Sequence, residues 1–186
     1  MFVTDWFTFA SLPRCGSDWF LKTMKRVGIP YVKRQGLHMM GREADKPSIT
    51  INRDPATWLV SYWHSINASL DNHGIPGFAD MFILRMPGDT FEQYVERYIE
   101  RMPGTISQMF GHYRSDHVIH TETLAQDFVS LMQRLSVPCE LANVRAEPEN
   151  MSNNKPVLSI ALRDAIRETE GRTSSPAQTL SCGFTS

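Results

Sequence analysis

Phe9-Ala-Ser-Leu-Pro-Arg-Cys-Gly-Ser-Asp-Trp-Phe20 is the stretch on which the fold turns. The apolar run from Trp6 to Ala10 has the length and aromatic content of a buried strand; it breaks at Pro13 and Gly16, and a helical pattern starts at once. Strand, tight loop and helix start in that order aim several backbone N–H groups and the positive end of a helix dipole at one spot, which suits an anion. Arg14 adds a permanent cation with five donors, and Ser17 adds a hydroxyl at the expected N-cap. The usual nucleotide-triphosphate loop needs a lysine directly after its last glycine; Ser17 stands there, and the cation comes two residues before Gly16 instead.

Downstream, the spacing of Phe20, Met24 and Val27 predicts a helix from Ser17 to Val27, stopped by Gly28 and Pro30. Tyr31-Val32-Lys33 reads as a short second strand. The polar stretch from Arg34 to Lys46, with His38, Arg42 and Glu43, then leaves the carboxyl end of that strand, where an open α/β sheet keeps its working residues. Ser48 to Asn52 alternates as a strand and ends at Arg53-Asp54-Pro55, where Asp54 suits an N-cap and Pro55 a first helical position. The helix that follows turns Trp58, Leu59, Tyr62, Trp63 and Ile66 inward. Ser61 lies off that stripe on a small polar face pointing back toward Arg53, so the two side chains can reach one anion.

The loop over 71–88 admits two readings, a lid over a substrate or a short helix built on Met81 to Leu84. Thr90 to Met102 is the clearest helix, with a capping box from Thr90 and Gln93, a core stripe through Phe91, Tyr94, Val95, Tyr98, Ile99 and Met102, and a stop at Pro103-Gly104. A helix is expected from Ile106 to Tyr113, a strand over His117 to His120, a helix through Phe128, Leu131 and Leu135, and a last helix from Ser159 to Glu170. Residues 171–186 have no periodicity and read as a loosely held tail.

With 186 residues, 41% hydrophobic and 21% charged, the chain matches one ordinary globular domain over 1–186. Its net charge of −1 supplies no general field for nucleic acid or an anionic membrane, so any anion site must be local. No apolar run approaches the ~18 residues of a membrane span and no basic region opens the chain, which leads us to expect a cytoplasmic protein without a membrane partner. Three scattered cysteines argue for reduced thiols rather than a disulfide framework. Cys15, inside the loop, reads either as a reactive thiol or as a small residue chosen for fit. His117 and His120 point to opposite faces of their strand and share no metal, so no metal site is expected.

Two motifs carry a resemblance to a known family. Pro13-Arg14-Cys15-Gly16-Ser17-Asp18-Trp19 resembles the 5′-phosphosulfate loop of the sulfotransferases that use 3′-phosphoadenosine 5′-phosphosulfate (PAPS), with Asp18 where that pattern has a second hydroxyl residue. Arg53-Asp-Pro-Ala-Thr-Trp-Leu-Val-Ser61-Tyr-Trp-His64 resembles the family's 3′-phosphate motif, in which the arginine and the serine are the phosphate ligands. Thr121-Glu122-Thr123-Leu124 is weakly similar to a late segment of the family, and Asn150 to Pro156 to the basic loop that closes over the 3′-phosphate, where Lys155 is either a ligand or a solvated lysine.

The resemblance implies a three-layer α/β/α fold with a mainly parallel sheet, of the P-loop nucleoside-kinase-like sulfotransferase type. It also implies an enzyme moving a sulfuryl group from PAPS, without a metal, to a hydroxyl or amine acceptor that the sequence does not identify. Arg14 would then serve in catalysis, and Arg14, Cys15, Gly16, Ser17, Asp18, Trp19, Arg53, Ser61 and Lys155 would hold the nucleotide. The acceptor's base is His38 or, as rival, Glu43. Two other classes remain open: a small nucleotide or nucleoside kinase, which shares the fold but normally carries Gly-Lys-Ser/Thr, and a nucleotide-binding module without catalysis.

Overall fold

The computed structural model describes residues 1–34, 43, 45–68, 86, 88–113, 115–146 and 155–171. His38, the 71–88 loop apart from Met86 and Gly88, and the tail after Gly171 lie outside them. Five strands form one sheet in the order β3-β1-β2-β4-β5: β1 Phe2–Val3, β2 Thr8–Phe9, β3 Val32–Lys33, β4 Ser48–Asn52 and β5 His117–His120. The neighbours β2, β4 and β5 are parallel, whereas β1 runs antiparallel to both β2 and β3. The sheet is therefore mixed, not mainly parallel as the sequence suggested.

The cause lies at Thr4. Its Oγ1 accepts from the N–H groups of Trp6 at 3.1 Å and Phe7 at 2.8 Å and donates to the Phe7 carbonyl at 2.9 Å. That closed turn folds Met1 to Val3 back onto β2, and a turn this short can join only antiparallel strands. It also takes Trp6 and Phe7 out of the strand read over Trp6–Ala10.

Strand register places Phe2, Phe9, Ile49, Ile51 and Ile119 on one face and Thr8, Ser48 and Thr50 on the other. Both sets are buried, as in a sheet covered from both sides. Among the described residues six helices accompany the sheet: α1 Ser17–Arg26, α2 Pro55–Ala68, α3 Phe91–Arg101, α4 Thr105–His112, α5 Leu124–Arg134 and α6 Ile160–Gly171. The apolar face receives α1 and α5, because Phe9 stacks on Phe20 with ring centres 4.1 Å apart and Phe20 meets Phe128 edge-on at 5.3 Å. Each such ring withdrawn from water contributes roughly 1.5–3 kcal/mol.

α2 buries the expected stripe of Trp58, Leu59, Tyr62, Trp63 and Ile66, and Trp63 packs against Tyr94 of α3 at 4.9 Å. The capping box of α3 is present as read, while Ile99 and Met102 at its end are only partly buried. α6 is pinned at its last turn, where the buried Glu170 accepts from the Tyr98 hydroxyl and, at 2.7 Å, from the Ser107 N–H in the first turn of α4. No helix among the described residues is long and apolar enough to cross a membrane.

Candidate functional site

Because β2, β4 and β5 are parallel neighbours, the segments that leave their carboxyl ends share one edge of the sheet, the edge at which open α/β sheets bind ligands. Those segments are the loop from Ala10 to Gly16, the Arg53-Asp54 junction and the short 3₁₀ turn Thr121–Thr123.

The first loop is held from below by the Trp58 indole, which donates to the Pro13 carbonyl at 2.9 Å. Arg14 then adopts a left-handed conformation with φ 67°. For a residue with a Cβ this costs on the order of 1–3 kcal/mol and persists only where the surroundings enforce it. Here the Arg14 carbonyl accepts from Nη1 of Arg53 at 2.8 Å, and the Arg14 Nε donates to the Ser61 hydroxyl at 3.3 Å. Gly16 follows at φ 86°, and a Cβ there would lie 2.9 Å from Cδ2 of Leu124 in α5. Gly16, in a left-handed conformation that residues with a Cβ rarely adopt, is the N-cap of α1, correcting the expectation for Ser17, which is instead the first helical residue, buried and without a capping bond. The cap thus brings no side chain to cover the first-turn N–H groups.

The other loop residues separate by burial. Cys15 is fully buried, and that burial raises its thiol far above the ordinary range, as suits a small residue chosen for fit. Trp19 points into the core, edge-on to Phe128 at 5.9 Å, so only its backbone faces the loop's concerns. Asp18 is exposed in the first turn of α1, a favourable place for a carboxylate on the helix dipole.

At the second loop Asp54 caps α2 as expected, its Oδ1 accepting from the Thr57 N–H at 3.0 Å, while its Oδ2 accepts from Arg167 of α6 at 2.8 Å. Arg53 donates through Nε to the Thr57 hydroxyl at 3.1 Å, and burial lowers its pKa. Ser61 is buried, one helical turn beyond Thr57 and in contact with Arg14. Lys155, the lysine of the C-terminal segment, has its pKa lowered first by burial and then by the charges of Arg53 and Arg14.

Arg14, Arg53 and Ser61 therefore converge, and the charges of both arginines are felt at Lys155. The carboxylates of Glu122 and Asp54 offset part of the Arg53 charge, and the two planar guanidinium forks beside the starts of α1 and α2 match phosphate or sulfate oxygens. Glu43, by contrast, pairs with Lys46 at 3.4 Å, and Lys46 donates to the Thr4 carbonyl at 2.7 Å. Both contacts lie at the amino edge of the parallel strands, a full length of β4 from Arg53, about 16 Å at ~3.3 Å per residue. The structure thus does not bring Glu43 to the cation cluster.

Four residues that support the site carry no role in the sequence reading: Thr57, Thr121, Glu122 and Arg167. Thr121 and Glu122 had a readable signal, since they follow β5 directly and so come to the same edge as the two loops. Comparison of the chain with family models, with curated proteins and with solved structures finds no match.

Proposed function

We propose that the protein is a sulfotransferase that moves a sulfuryl group from PAPS to a hydroxyl or amine acceptor. The observation that carries this reading is the convergence of Arg14, Arg53 and Ser61 from two separate stretches of chain at the carboxyl edge of the sheet, with the charges of both arginines felt at Lys155. A donor with a phosphosulfate at one end of its ribose and a phosphate at the other needs two anion subsites side by side. The Arg14 loop with the α1 N-terminus suits the 5′ end; Arg53, Ser61 and Lys155 suit the 3′ end.

In the transfer, the bond between sulfur and the bridging phosphate oxygen breaks as the acceptor's oxygen or nitrogen bonds to sulfur. The acceptor's proton leaves to a base, and adenosine 3′,5′-bisphosphate departs. The transition state is loose, so positioning and charge stabilisation carry most of the catalysis. Arg14 and the first-turn N–H groups of α1 meet the charge growing on the departing phosphate. With Glu43 held by Lys46 at the far edge, His38 is the base in this reading.

The exposed Asp18, in place of a hydroxyl, favours a second reading: a module that binds the nucleotide without transferring sulfate. Incubation with sulfur-labelled PAPS and a panel of phenols, alcohols, sugars and amines separates the two. Label moving to an acceptor, and lost in His38→Ala, supports the enzyme; bound PAPS with no transfer to any acceptor supports the module.

A further inference from the structure

We infer that Thr121 is a positioning residue that fixes the separation of the two cation-bearing loops, and that Glu122 beside it fixes the orientation of the second. The inference rests on the two-phosphate reading given above. Thr121 Oγ1 lies 2.9 Å from the carbonyl oxygen of Cys15 and 3.1 Å from that of Asn52. Its single hydroxyl hydrogen is shared between two acceptors, one belonging to the residue after Arg14 and the other to the residue before Arg53. One side chain therefore spans the two backbones that carry the guanidinium groups. Glu122 continues the arrangement: its Oε1 accepts from the Asp54 N–H at 3.0 Å and lies 3.2 Å from the Thr57 hydroxyl, which in turn accepts from Arg53 Nε. Neither residue belongs to the cation cluster; both act through the loops that do.

This arrangement predicts an effect that general loss of stability does not produce. A ligand with one phosphate engages one loop and tolerates a change in the spacing between them. A ligand with two phosphates fixed on one ribose depends on that spacing, because a misplaced loop forfeits one charge-assisted contact.

The test is isothermal titration of adenosine 3′,5′-bisphosphate and of adenosine 5′-phosphate into the wild type and into Thr121→Val, Thr121→Ser and Glu122→Ala. Thr121→Val should bind the bisphosphate about tenfold more weakly, while its affinity for the monophosphate changes less than about threefold; Thr121→Ser, which keeps the hydroxyl, should restore the wild-type ratio. A Thr121→Val protein with the wild-type ratio, or a Thr121→Ser protein that behaves like the valine variant, overturns the inference. Should Thr121→Val fail to fold, Glu122→Ala, which removes the acceptor of the Asp54 N–H at an exposed side chain, carries the same ratio test: a lowered preference for the bisphosphate is expected, and the wild-type ratio overturns the inference. A wild type that shows no preference for the bisphosphate overturns the two-phosphate reading itself, a result obtained before any variant is made and so distinguishable from failure of the Thr121 role.

Discussion

Arg14 is the residue at which the backbone and the chemistry meet. A left-handed φ at a residue with a Cβ is unfavourable, and it is maintained by Arg53 on its carbonyl and Ser61 on its side chain. If Arg14 balances charge that appears as the sulfuryl group moves, Arg14→Ala should lower kcat by more than it raises KM for PAPS, and Arg14→Lys should retain part of the activity. Steady-state kinetics on the three proteins check this; an unchanged kcat would make Arg14 a binding residue only.

Lys155 gives a pH dependence whose sign follows from its neighbours. Its pKa lies below the ordinary 10.5 in the free protein because burial, Arg53 and Arg14 disfavour the ammonium. A bound anion restores the charged form, so binding takes up a proton, and affinity falls as pH rises through the lowered value. Titration calorimetry in buffers of different ionisation enthalpy should detect that uptake at alkaline pH, and Lys155→Met should abolish it.

At the scale of the elements, the Arg53 junction is built as a capped helix start shared with α6. Asp54→Ala removes the acceptor of the Thr57 N–H and the partner of Arg167, and loss of such a cap costs about 1 kcal/mol. The urea midpoint should fall with the slope unchanged. The helix start at this junction was legible in the sequence, because Asp54 and Pro55 carry the start signals themselves and the apolar stripe from Trp58 to Ile66 fixes the buried face; its link to Arg167, 113 residues away, was not. Nor was the cap of α1. Ser17 has the right chemistry, but the clash that a Cβ at Gly16 would make with Leu124 is a contact between residues far apart in the chain. Two-residue strands such as β1 carry no periodicity to read, so the antiparallel turn at Thr4 was invisible and the sheet was taken as mainly parallel. Glu43 shares the polar 34–46 segment with His38, but the sequence does not say which edge of the sheet the chain has reached by Lys46.

For the molecule as a whole, the candidate site stands on the aromatic core. The stack of Phe9, Phe20 and Phe128 ties the sheet to α1 and α5 beneath the first loop. Phe128→Ala should cost about 3–5 kcal/mol, a large part of the ~5–15 kcal/mol that holds a typical domain. Denaturant unfolding would show this as a drop in midpoint, with nucleotide affinity in the folded fraction little changed. Affinity collapsing alone, at constant stability, would instead place Phe128 in the site.

In the proposed reading Arg53 and Ser61 hold the second phosphate of a ligand whose first end lies at the Arg14 loop. Isothermal titration of adenosine 3′,5′-bisphosphate and of adenosine 5′-phosphate into the wild type, Arg53→Ala and Ser61→Ala tests it. Each substitution also removes a group that holds Arg14, so monophosphate binding should fall somewhat, but bisphosphate binding should fall further by roughly 1.5–3 kcal/mol, as expected for one more charge-assisted contact. Equal losses for both ligands, or a wild type that binds the two alike, would contradict it.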